Sequence, residues 1–132
     1  MPSSRFPVYF VSHGGGPWPW MEDRRAAFAK TVREIGALPQ RLPEKPKAVL
    51  VITGHWEAPQ FTVSTATWPQ MDYDYYGFPE HTYQLQYPAP GSPALAARVR
   101  GLLQEAGLPC GEDAERGFDH GTFVPLDRKS VV

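Results

Sequence analysis

Val8-Tyr9-Phe10-Val11-Ser12-His13 and Ala48-Val49-Leu50-Val51-Ile52-Thr53-Gly54-His55 are two short apolar runs that each end on a histidine. Their β-branched and aromatic residues, unbroken by polar positions, are the pattern of a strand buried on both faces. Gly14-Gly15-Gly16-Pro17 follows the first run, and Trp56-Glu57 follows the second. Between them, residues 23–38 place Phe28, Val32 and Ile35 at i, i+4 and i+7, one apolar face of a helix, with Asp23 as candidate N-cap and Pro39 as its stop. Strand, helix and strand imply a βαβ unit with parallel strands. Ligands of open parallel sheets bind beyond the carboxyl ends of the strands. His13 and His55 are therefore expected in one cleft, close enough to share a metal ion.

Working outward, residues 61–65 read as a third strand. Residues 68–90 hold Trp68, Tyr73, Tyr75, Tyr76, Phe78, Tyr83 and Tyr87 among prolines. That composition suits an ordered excursion with a short strand near residues 83–87, not a single element. Ser92 caps a helix whose first residue is Pro93, whose apolar stripe is Leu95, Val99, Leu102, Leu103 and Ala106, and whose left-handed end is Gly107. Residues 108–111 begin another strand, and residues 122–126 open a further element. The expected fold class is α/β, a mostly parallel sheet flanked by helices.

The 132 residues suffice for one domain, and a hydrophobic content of 42% excludes disorder. Twelve glycines and 15 prolines imply long ordered loops. A net charge of −1 leaves no basic footprint for nucleic acid. The apolar run at residues 7–11 is too short for a membrane span and lacks a signal-peptide cleavage pattern. The lone cysteine, Cys110, reads as a small packed side chain and suits the reducing cytoplasm, the expected location.

Among chemically capable residues, His13 sits before glycines that permit positive φ and close approach. A tight turn with a bystander histidine explains the same letters. The triple glycine lacks the spacing of a nucleotide loop. Glu57 either orients an imidazole, completes a two-histidine, one-carboxylate metal triad, or is simply solvated. His120, between Asp119 and Gly121, is a candidate general acid/base. His81 either lines a pocket or lies on the surface. No serine or cysteine nucleophile motif is present.

Five segments occur in a telling order: Ser12-His13-Gly14-Gly15-Gly16-Pro17, Thr53-Gly54-His55-Trp56-Glu57, Tyr76-Gly77-Phe78-Pro79, Gln86-Tyr87-Pro88-Ala89-Pro90-Gly91 and Gly117-Phe118-Asp119-His120-Gly121. Together they resemble the class III extradiol ring-cleavage dioxygenases, in the 4,5-DOPA dioxygenase-like branch, over residues 7–126. The resemblance implies a non-haem enzyme that inserts O₂ into a catechol such as DOPA beside the diol. It implies His13 and His55 as ligands of one Fe(II) or Zn(II) ion. It implies His120 as a substrate-pocket residue that assists proton transfer without binding the metal, with the aromatic segment walling the ring off from water.

Members of the family are longer, and their third metal ligand lies in a C-terminal half that this chain does not match. Residues 1–132 are accordingly expected to be the N-terminal part of a catalytic domain, incomplete at the C-terminus, with an atypical tail at residues 127–132. Such a truncated chain is expected to be inactive by itself. The rival readings are a zinc-dependent hydrolase, with Glu57 as its base, and a non-catalytic metal-binding fragment.

Overall fold

The computed structural model describes residues 5–127, so most of the tail at residues 127–132 lies outside the described residues. Four α-helices are present among these: α1 (Glu22–Arg25), α2 (Ala29–Gly36), α3 (Pro93–Glu105) and α4 (His120–Leu126). Two strands, β1 (Phe61–Ser64) and β2 (Cys110–Asp113), pair in parallel, with Phe61 opposite Cys110 and Ser64 opposite Asp113. Helices with a parallel sheet make the fold α/β, as the sequence implies.

The β1–α3–β2 crossover is the βαβ unit that forms, and it lies later in the chain than the one expected. α3 follows its sequence signals closely. Ser92 accepts a hydrogen bond from the Leu95 amide at 3.3 Å, Pro93 takes the first turn, and Gly107 ends the helix at φ +75°. Arg100 pairs with Glu112 at 2.7 Å, tying α3 to β2.

The two histidine-bearing runs depart from expectation. Residues 8–12 and 48–53 belong to no sheet among the described residues, and Val8 and Ile52 are 97% and 92% exposed. A strand is defined by its ladder, so an apolar run with no hydrogen-bonded neighbour does not become one. The helix expected over residues 23–38 forms in pieces: α1, a 3₁₀ turn at Ala26–Phe28, and α2. Met21 stands at its N-cap in place of Asp23, and Pro39 begins another 3₁₀ turn after it. The strand expected near residues 83–87 is absent; Glu80–Tyr83 is a 3₁₀ turn.

The core sits around Trp18, Tyr75, Phe123 and Val124, all buried, with Phe28, Phe78, Tyr83 and Tyr87 packed against them. Trp18 stacks on Phe28 with ring centroids 4.4 Å apart, and Tyr75 meets Phe78 edge-on at 5.4 Å. Much of the aromatic segment is thus core. The reason is arithmetic of burial: two four-residue strands provide little sheet to cover, so the large rings bury themselves against one another.

Candidate metal centre

Three segments bring three histidines together. The first is the turn after residues 8–12. The His13 carbonyl accepts the Trp18 indole N–H, and Gly14 and Gly16 adopt φ of +73° and +61°. A Cβ on Gly14 would lie 2.6 Å from Trp18 Nε1, and one on Gly16 2.5 Å from Phe78 Cζ. These two glycines let the chain turn tightly against the aromatic core and carry His13 over it.

The second segment is the turn at Gly54-His55. The His55 amide donates to Thr53 Oγ1 at 3.2 Å, and Thr53 Oγ1 donates to Asp119 Oδ1 at 2.9 Å. Asp119, 1% exposed, also caps α4 by accepting from the Thr122 amide at 3.1 Å. Arg116 binds Asp119 at 2.6 Å and Asp72 at 3.0 Å, donates to the His55 carbonyl at 3.4 Å, and covers the Trp56 ring. A buried carboxylate needs such partners. Here the partners belong to three segments, so neutralising Asp119 also fixes the His55 turn to the start of α4.

The third segment is α4 itself, whose first residue is His120. Its backbone N–H donates to Asp74 Oδ1 at 2.9 Å, and its ring Nδ1 is hydrogen-bonded to the same oxygen at 2.8 Å. The other carboxylate oxygen, Asp74 Oδ2, stands 3.7 Å from His55 Nδ1. A short parallel pairing brings Asp74 there. Met71 bridges Phe118, the Asp72 amide donates to the Phe118 carbonyl at 2.8 Å, and the Phe118 amide to the Gln70 carbonyl at 2.8 Å. Continued two residues, that register sets Tyr73 level with His120, and the Asp74 side chain that follows reaches the His120 amide and ring. Gly117 allows it, because a Cβ there would lie 2.5 Å from the Gln70 carbonyl oxygen.

His13 Nε2 and His55 Nε2 are 3.0 Å apart. The His120 ring centroid lies 4.1 Å from that of His55 and 5.0 Å from that of His13. One nitrogen from each of the three rings falls within a mutual 4.8 Å. The donor set fits a divalent ion. Two imidazole nitrogens bound at right angles to one ion at ~2.1 Å would stand about 3 Å apart. His13 Nδ1 is buried without a hydrogen-bond partner among the described residues, a cost that stability alone does not recover. Burial, and then the charges of His120 and His55, hold the His13 pKa below the usual 6.5, favouring the neutral imidazole that metals require. Burial pushes Asp74 upward, but the hydrogen bonds from His120 outweigh it, and its carboxyl sits below the ordinary range. Burial raises the Tyr75 phenol to about 12. Tyr75 touches the His120 ring edge-on at 5.9 Å.

Glu57, the acidic residue offered by the sequence, is exposed and outside the histidine group. His81 is also exposed, its Nε2 hydrogen-bonded to the Trp20 carbonyl at 2.9 Å. Asp74 and Arg116 were not singled out by the sequence reading. The only hint of Asp74 was a carboxylate set between Tyr73 and Tyr75 in an otherwise aromatic stretch.

Comparisons with known proteins place the chain among named dioxygenases. The chain is 41% identical to dioxygenase tasH of Hapsidospora irregularis, over 91% of this chain and 39% of that protein. It is 40% identical to 4,5-DOPA dioxygenase extradiol of Beta vulgaris, over 90% and 43%. It is 38% identical to 4,5-DOPA dioxygenase extradiol of Escherichia coli, over 96% and 44%. The chain therefore spans about two fifths of the length of these curated relatives. The family described as the catalytic LigB subunit of aromatic ring-opening dioxygenase matches residues 7–128. With that match covering nearly every residue, the chain belongs to the LigB family of aromatic ring-opening dioxygenases.

Proposed function

We propose that residues 1–132 act as the N-terminal part of a single catalytic domain of an extradiol dioxygenase. It opens a catechol such as DOPA with O₂ in the cytoplasm and uses one Fe(II) or Zn(II) ion held by His13 and His55. The observation that carries this reading is the 3.0 Å approach of His13 Nε2 and His55 Nε2 beside a third, buried imidazole. The names of the Beta vulgaris and Escherichia coli relatives support the substrate. When bound, the ion would supply Lewis acidity, lowering the pKa of the diol hydroxyls and holding diol and O₂ in one place.

The chain's own residues do the rest. His13 and His55 present neutral nitrogens to the ion. His120, 6% exposed, takes and returns the diol proton, a task suited to an imidazole near neutral pH. Tyr75 keeps one edge of that ring dry and, with its phenol at about 12, stays neutral and does not compete for the proton. A zinc hydrolase would need a carboxylate base at the ion, and exposed Glu57 is poorly placed for it.

Two preparations test the proposal. A chimera that continues this chain with the remaining sequence of the Beta vulgaris relative is expected to bind metal, consume O₂ with DOPA and yield the yellow ring-opened semialdehyde. His13→Ala or His55→Ala should abolish both binding and turnover, whereas His120→Ala should cut turnover at least 100-fold with metal content nearly unchanged. A metal-loaded chimera that consumes no O₂ with any catechol overturns the proposal. The 132-residue chain alone is expected to give no product above a metal-only control, because non-haem Fe(II) sites use three protein ligands and His13 and His55 supply two.

A further inference from the structure

We propose that Asp74 is a positioning residue for two of the three imidazoles, fixing the tautomer of His120 and the ring orientation of His55. This rests on the functional reading above. An ionised carboxylate only accepts hydrogen bonds. Asp74 Oδ1 lies 2.8 Å from His120 Nδ1 and 2.9 Å from the His120 amide nitrogen, so both of those nitrogens carry hydrogen. With the proton on Nδ1, the neutral ring has its lone pair on Nε2. Holding the backbone and the ring of one residue with a single oxygen also limits rotation about both side-chain torsions.

The second oxygen serves the neighbouring ring. Asp74 Oδ2 is 3.7 Å from His55 Nδ1, while His55 Nε2 faces His13 Nε2 at 3.0 Å. The carboxylate thus lies nearest one ring nitrogen of His55 while the other faces His13. A carboxylate there favours a proton on His55 Nδ1 and leaves Nε2 free as a donor atom. Asp74 can do this because it is itself held, its side chain 19% exposed, by the Met71–Phe118 pairing that sets its register against α4.

The experiment reads the tautomer and the metal separately on the 132-residue chain. Long-range ¹H–¹⁵N spectra of the metal-free protein at pH 8 are expected to show His120 protonated on Nδ1. In Asp74→Ala the proton should move predominantly to Nε2, and Zn(II) affinity by calorimetry should fall 10- to 100-fold. Asp74→Asn keeps the shape and one acceptor oxygen. It should retain the Nδ1–H tautomer while losing at least threefold in Zn(II) affinity. If the alanine variant does not fold, the asparagine variant decides by its affinity. A wild-type His120 protonated on Nε2, or a folded Asp74→Ala chain with unchanged tautomer and affinity, overturns the inference. A wild-type chain that binds no Zn(II) yet shows the Nδ1–H tautomer and its loss in Asp74→Ala would instead count against the metal-dependent reading and leave the role of Asp74 toward His120 standing.

Discussion

Gly121, the residue after His120, controls how closely His55 approaches α4. A Cβ there would lie 2.6 Å from Thr53 Oγ1 and 2.8 Å from His55 Cδ2. Alanine is the better helix former, so Gly121→Ala should preserve α4 and push the His55 turn outward. The expected result is at least a tenfold loss of Zn(II) affinity with an unchanged circular dichroism spectrum; unaltered affinity would show that the turn yields freely. Tyr75 supplies a pH prediction. Its folded pKa of about 12 lies above the ordinary 10.0, so the fold favours the neutral phenol, which donates to the Thr82 carbonyl. That contribution is complete below pH 10 and is lost as pH rises toward 12. Two units amount to about 3 kcal/mol at most. Urea midpoints should therefore fall between pH 10 and 12, and Tyr75→Phe should flatten that decline.

Helix α3 and helix α4 are both capped by a side chain, but the caps carry different loads. Ser92 accepts one amide from an exposed position. Asp119 accepts the Thr122 amide while buried, and also binds Arg116 and Thr53. Ser92→Ala should cost about 1 kcal/mol. Asp119→Ala leaves the Arg116 guanidinium with a vacated partner and should cost about 3 kcal/mol or more. Equilibrium urea unfolding of both variants checks the order, and equal costs would mean that Asp119 is only a cap. Of the two caps, Ser92-Pro93 was legible from sequence as a strong local signal, whereas Asp119 was read only as the neighbour of His120. The load on Asp119 was not legible, because Thr53 and Arg116 reach it through the tertiary arrangement.

At the scale of the whole molecule, the prominent feature is apolar surface that the described residues leave uncovered. Val8 and Ile52 are almost fully exposed, and Val49 and Leu50 are each 59% exposed. Exposed apolar surface of this kind drives association. The chain is expected to bind a hydrophobic dye such as ANS and to scatter light at micromolar concentration. The double variant Val8→Lys, Ile52→Lys should reduce both signals with little change in the unfolding midpoint, since neither side chain is buried; an unchanged dye signal would place the sticky surface elsewhere.

The same two runs mark the boundary between local and tertiary information. Their composition called for strands, and His13 and His55 do meet, yet neither run has a ladder, because a strand depends on a neighbour that its own residues do not encode. α3 was legible from Ser92 to Gly107, and a strand over residues 61–65 from its β-branched alternation, because caps and patterning act over a few residues; the parallel pairing of β1 with β2, whose residues are Cys-Gly-Glu-Asp, was not. The histidine-bearing motifs likewise carried the family. Much of the aromatic segment became core because burial is decided by what else is available to cover. The sequence by itself determined the α/β class, the family and the three histidines. Only the tertiary structure put Asp74 beside two of them and Arg116 between Asp72 and Asp119, because the Asp74–His120 and Arg116–Asp72 contacts join residues distant in sequence through the Met71–Phe118 pairing and the packing of α4, and no local pattern records either.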